Sequence, residues 1–110
     1  MDLKPLALRY FSTFSRKDTA GLKALFCEDV SLRDWEISAS GISNVLAANQ
    51  KIFDSVRTIE VRPTNLFQDA HSVCAELEIW IDGKTMLLVL DILDFDAEGR
   101  IRAVRAFRGN

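Results

Sequence analysis

A chain of 110 residues, 48% of them hydrophobic and 27% charged, has the length of one ordinary domain and enough apolar side chains to bury a core, which argues against disorder. A net charge of −2 gives no electrostatic basis for binding nucleic acid or an anionic membrane, and no apolar run approaches the length of a membrane span. Cys27 and Cys74 lie in unrelated contexts, forming neither a C-x-x-C pair nor a disulfide framework, and no basic segment with a long apolar run opens the chain, so a reduced cytoplasmic protein is expected.

In chain order, Leu3, Leu6, Ala7, Tyr10, Phe11 and Phe14 recur at helical spacing and predict a first helix through about residue 16. "RKDTAG" breaks that pattern, and Asp18 or Thr19 can cap a short second helix carrying Leu22, Leu25 and Phe26. "DVSLRDWEIS" reads as a strand, "SASG" as a loop, and "ISNVLAANQKIFDSV" as a third helix with Ile42, Val45, Leu46, Ile52, Phe53 and Val56 on one side. The remainder reads as strands. "RTIEVRP" is expected to end at Pro63, with a further extended run through "TNLFQD". "SVCAELEIWI" alternates, with Val73, Ala75, Leu77, Ile79 and Ile81 on one face, and Asp82-Gly83 marks a hairpin turn. "TMLLVLDILDF" is apolar on both faces, as a central or covered strand would be, and after a turn at "DAEG" the segment "RIRAVRAFRG" closes the chain. The order of elements predicts one α+β domain over residues 1–110, with the helices packed on one face of a curved, mostly antiparallel sheet.

Three polar groups fall on apolar faces. Strand alternation puts Asp34 beside Val30 and Leu32, and Asp91 beside Val89, Leu93 and Phe95, while Tyr10 lies in the middle of the first helix's apolar stripe. Buried polar groups need partners, so three of them on three separate elements point to a shared cavity. Each also has an ordinary structural reading. A core Tyr sends its hydroxyl to the surface, Asp34 marks the strand's exit to solvent, and Asp91 pairs with Arg102, Arg105 or Arg108 of the last strand.

The segment "RYFSTFSRKDTAGLKALFCEDVSLRD" resembles the opening of the nuclear transport factor 2-like superfamily, which includes SnoaL-like cyclases and ketosteroid isomerases. The resemblance extends through "DGKTMLLVLDILDFDAEGRIRAVRAFRG" and so covers nearly the whole chain. It implies a cone-shaped sheet, the cystatin-like roll, with helices on its concave face around one pocket. Within it a ketosteroid-isomerase-like triple falls on Tyr10, Asp34 and Asp91. The resemblance assigns Asp34 as general base and Tyr10 and a protonated Asp91 as hydrogen-bond donors to an enolate oxygen, the arrangement for which ketosteroid isomerase is itself the worked example. The local sequence is compatible. Apolar Val89, Leu90, Ile92 and Leu93 around Asp91 disfavour its charge, and the strand-end setting of Asp34 between Arg33 and Trp35 disfavours charge less.

There are departures from the isomerase pattern. Trp35 stands where the isomerases usually have Pro and is expected near the cavity mouth. Asn49 falls near the place of a supporting Tyr, either as a donor to Tyr10 or as a packed or solvent-reaching amide. Arg108 falls near a cavity aromatic and, if it points inward, favours an anionic substrate; otherwise it is a solvated strand-end charge. Phe53, Trp80 and Phe107 are further candidates for the lining, or ordinary core. The single histidine, His71, sits in a turn, no Gly-rich phosphate loop is present, and no Cys/His cluster offers a metal site, so no cofactor or metal is expected. Two readings remain from different classes: a cofactor-independent isomerase or cyclase-like enzyme acting on a small hydrophobic or weakly anionic organic molecule, and a non-catalytic ligand-binding or association domain. The strand at 86–93 carries Leu88, Leu90 and Ile92 on the side away from Asp91, an apolar face that predicts a homodimer.

Overall fold

The computed structural model describes residues 1–110. Helices α1 (Lys4–Ser15), α2 (Thr19–Leu25) and α3 (Ile42–Ser55) combine with strands β1 (Phe26–Arg33), β2 (Ser38–Ser40), β3 (Ile59–Gln68), β4 (Ser72–Ile81), β5 (Thr85–Phe95) and β6 (Ile101–Arg108). The strands form one sheet in the order β2-β1-β6-β5-β4-β3, antiparallel throughout except where β1 runs parallel to β6. The expected α+β arrangement is therefore found, with all three helices against one face of the sheet and a continuous core between them.

Local chemistry accounts for the boundaries. Pro5 occupies the first turn of α1, and the Gln68 side chain of β3 caps that helix by accepting from the amides of Leu3 (2.9 Å) and Lys4 (3.2 Å). Asp18 caps α2 by accepting from the Gly21 amide at 2.9 Å, and a Cβ at Gly21 would collide with that carboxylate. In the β4–β5 connection, residues 82–84, Asp82 (φ 54°) and Gly83 (φ 68°) both take the left-handed conformation, and the Lys84 amide closes the turn on the Ile81 carbonyl at 3.0 Å.

Two sequence expectations are corrected. β1 ends at Arg33 rather than running to Ser38. Asp34 Oδ1 accepts from the amides of Glu36 (2.8 Å) and Ile37 (2.6 Å), folding the chain back so that Ser38–Ser40, expected as loop, pairs with β1 as β2. Nor does Pro63 end a strand, because β3 passes through it with a bulge between Pro63 and Asn65 that absorbs the missing donor.

The C-terminal ends of α1 and α3 are joined by Lys17. Its ammonium donates to the carbonyls of Phe53 (2.8 Å), Val56 (2.7 Å) and Arg57 (3.1 Å), placing a cation on the exposed carbonyls that end α3. Lys17→Met is predicted to lose about 1–3 kcal/mol of stability, measured by urea denaturation. An unchanged midpoint would show that this bridge contributes nothing.

Candidate functional site

The concave face of the sheet is ordered in rows. Leu32, Val104, Leu93 and Val73 lie side by side across β1, β6, β5 and β4, all buried, and form an apolar floor. In the next row Ala106 of β6 is opposite Asp91 of β5, and Asp91 is opposite Ala75 of β4. Asp34, one residue beyond the Arg33–Arg105 pair, comes level with Ala106. The two carboxylates are thus two strands apart with an alanine between them, and Asp91 has a methyl on each side. Asp91 and Ala106 of this row, with Asp34, line a cavity of about 390 Å³.

Tyr10, Phe11 and Phe14 of α1, Asn49, Ile52 and Ser55 of α3 and Val56 just after it form its helical wall, and Val61, Leu77, Ile79, Leu87 and Val89 form much of its sheet wall. Trp35, Glu36 and Ile37 of the β1–β2 turn and Arg108 at the end of β6 complete it, with Trp35 and Arg108 exposed. Tyr10, Asp34 and Asp91 therefore converge on one cavity. So do three of the six other sequence candidates: Trp35, Asn49 and Arg108.

Phe53 and Trp80 do not. Phe53 lies behind the wall, its ring edge-on to Phe14 at 4.8 Å, so Phe14 takes the lining position. Trp80 points away from the cavity, because the alternation that turns Ile79 and Ile81 inward turns Trp80 outward. There its indole donates to Glu78 at 3.1 Å and the Arg62 guanidinium lies 5.3 Å over its ring. Phe107 is likewise on the outer face, 56% exposed. Sequence reasoning missed Ser55, Thr85 and Glu36, which line the cavity, and Ala106, which makes room for it. The period-2 pattern of β5 and β6 held the signal for Thr85 and Ala106.

Electrostatically the two carboxylates differ. Asp91 is buried and forms no ion pair: of the arginines expected to pair with it, Arg105 bonds Asp94 at 3.1 Å on the outer face, and Arg108 lines the cavity but makes no salt bridge with it. Burial first, and the charge of Asp34 second, push the Asp91 carboxyl up to about 7. Asp34 has Oδ1 fixed by two backbone amides, which sets the direction of its carboxylate. The Tyr10 phenol is held well above its ordinary value by burial, then by Asp91, so it remains a donor at neutral pH. Asn49 is 1% exposed and its Nδ2 has no hydrogen-bond partner; the contact with Tyr10 offered by the sequence is not made.

The chain belongs to the SnoaL-like domain family, whose model matches residues 7–104. No curated protein matches the sequence. Among solved structures it is similar to a candidate SnoaL-like polyketide cyclase from Shewanella denitrificans (16% identity, 97% of this chain and 90% of that one, TM-score 0.86). It is also similar to a candidate ketosteroid isomerase from Kribbella flavida (22% identity, 98% and 78%, TM-score 0.85). An LEH-like epoxide hydrolase from M. tuberculosis shares the fold as well (14% identity, 97% and 82%, TM-score 0.83). At these identities the likeness establishes the nuclear transport factor 2-like fold.

The Asp91 environment predicts a pH signature. Below its ordinary value of 3.8 the carboxyl is protonated in folded and unfolded chains alike. As pH rises toward about 7 the unfolded chain releases the proton first, so Asp91 progressively costs the fold stability, and the cost levels off above that. Asp91→Asn should therefore gain on the wild type by about 2–4 kcal/mol between about pH 4 and about pH 8, read from denaturation midpoints. A constant difference across that range would mean the carboxyl is not held neutral.

Proposed function

We propose that the cavity binds a small, largely apolar carbonyl compound and moves a proton between its carbons. The Asp34 carboxylate removes a proton from the carbon next to the carbonyl, and the C–H bonding pair passes into the carbonyl as an enolate. Tyr10 and protonated Asp91 donate to the enolate oxygen, and the proton returns from Asp34 to the same or a conjugated carbon. The observation that carries this reading is that Tyr10, Asp34 and Asp91, from three separate elements, line one mostly apolar cavity in which Asp91 is kept protonated up to about 7. Arg108 at the rim extends the substrate range to weakly anionic compounds. No cofactor takes part in this scheme.

The test is deuterium exchange next to the carbonyl of a β,γ-unsaturated cyclic ketone, followed by NMR. Asp34→Asn keeps an acceptor for the two turn amides and removes the base, so exchange should fall by about 10²–10⁴-fold with the fold intact. Wild-type exchange should also decline above about 7 as Asp91 loses its proton, whereas Asp91→Asn, a donor at every pH, should show no such decline. Exchange unaffected by Asp34→Asn would favour a second reading, a ligand-binding domain without catalysis. The part Asp34 plays in holding the β1–β2 turn supports that alternative, since a purely structural Asp does the same.

We also propose that the protein is a homodimer through the outer face of the sheet. Leu88 (45% exposed) and Phe107 (56%) project from that face with half-buried Leu90 and Ile92, and acidic Glu76 and Glu78 share it with basic Arg62 and Arg105. A surface carrying apolar groups and both signs of charge is suited to a two-fold-related copy of itself. Equilibrium sedimentation at micromolar concentration should give twice the chain mass. A clean monomer would overturn the assembly.

A further inference from the structure

One cation borders the cavity. In β6 the alternation that turns Arg105 and Phe107 outward turns Val104, Ala106 and Arg108 to the concave side, where all three line the cavity. The Arg108 guanidinium is unpaired. Asp34, Glu36 and Asp91 share the cavity with it, and Glu76 and Glu78 share a groove on the outer face that it also borders. None of them forms an ion pair with it, the two ion pairs of the chain being Arg62–Glu60 and Arg105–Asp94.

The backbone that carries Arg108 is fixed, although chain ends commonly fray. The Gly109 amide donates to the Leu88 carbonyl at 2.7 Å, and the Asn110 side chain accepts from the Leu88 amide (2.9 Å) and donates to the Met86 carbonyl (3.2 Å). Arg108 is thereby held opposite Val89, one row nearer the exposed rim than Asp34, Ala106 and Asp91. That offset decides where a ligand can carry charge. Two residues along a strand span about 7 Å. A ligand whose carbonyl oxygen meets Tyr10 and Asp91 therefore passes Arg108 within its next few atoms. An anionic group kept in the Asp91 row would face the Asp34 carboxylate, and like charges at close range repel. One row outward, the same group meets a guanidinium, which offers a carboxylate two parallel N–H donors.

We propose that Arg108 is a specificity-determining residue that pairs with a carboxylate of the ligand, so that the cavity selects oxo acids, their carboxylate a few carbons from the reacting carbonyl, over neutral ketones. This rests on the reading that Tyr10 and Asp91 hold the carbonyl oxygen. It goes beyond that reading in giving the ligand a second functional group with a defined place, and in making its charge a preference rather than a tolerance. The carboxylate takes no part in the proton transfer. It orients the molecule with the carbonyl inward.

The experiment is calorimetric titration with para-hydroxybenzoate, para-hydroxyphenylacetate and para-hydroxyphenylpropanoate, each compared with its own neutral amide and all with phenol, whose oxygen stands in for that of the enolate. The three acids set the carboxylate at increasing distance from the ring. At least one acid should bind the wild type about tenfold tighter than its amide. That gain should shrink at high salt, as an ion pair at an exposed rim requires. It should disappear in Arg108→Gln, persist in part in Arg108→Lys, and reverse in Arg108→Glu, where the amide binds better. Acids no tighter than their amides, or a gain that survives Arg108→Gln, would overturn the proposal and leave Arg108 a solvated strand-end charge. Failure of phenol and the amides to bind, with an Arg108-dependent acid still bound, would defeat the roles of Tyr10 and Asp91 and leave that of Arg108 standing. Failure of every compound would defeat both.

Discussion

Burying a carboxyl group with neither a countercharge nor a hydrogen bond costs a protein several kcal/mol if the group stays ionised, and in this chain Asp91 bears that burden. The rest of the concave face is arranged around it. Arg105 faces outward to Asp94, and Arg108, though it lines the cavity, forms no salt bridge with Asp91. Ala106 and Ala75 flank it, so no large neighbour fills the space above it. The Asp34 carboxylate, level with Ala106, adds its field to burial, and together they favour the protonated form. A larger residue in place of Ala106 would fill the cavity, and a cation beside Asp91 would turn the acid into half of an ion pair.

The helices supply what the sheet cannot. Tyr10 is carried over Asp91 by an α1 stripe whose other members, Ala7 and Phe11, are buried, so the position of the phenol is fixed by core packing. Tyr10 also packs against Phe26 at the start of β1, with ring centroids 6.0 Å apart, which ties the helix to the strand that leads to Asp34. Asn49 stands on α3, whose C-terminal end Lys17 holds to the end of α1. The polar groups of the cavity are therefore held by different elements, each anchored by contacts outside the cavity, as a preorganised site requires.

Much of this was legible in the sequence, for identifiable reasons. Tyr10 was found because helical spacing is unambiguous over a long apolar stripe, and Asp91 because β5 alternates strictly around it. Asp34 was reached by extending β1 too far. The face it occupies is the expected one, but the strand has already ended, and what directs the side chain is a pair of backbone hydrogen bonds that period-2 reasoning does not contain. Trp80 was misplaced because its size suggested a cavity wall, although the alternation of its own strand put it outside. Phe53 was misplaced by less. It is on the correct face of α3, and only packing depth, which depends on how closely Phe14 approaches, separates a core residue from a lining one. Ala106, which leaves room for the cavity, is not legible as a lining residue because a small side chain leaves little mark in a hydrophobicity pattern.

The chemistry of the cavity depends on Asp91 keeping its proton up to about pH 7, far above the range of ordinary carboxylates. The direct measurement is a ¹³C NMR titration of its side-chain carboxyl, assigned by comparison with Asp91→Asn. A midpoint near 7 agrees with the cavity described here. A midpoint below about 4, in the range of ordinary carboxylates, would mean that a countercharge or solvent reaches Asp91, and would contradict it.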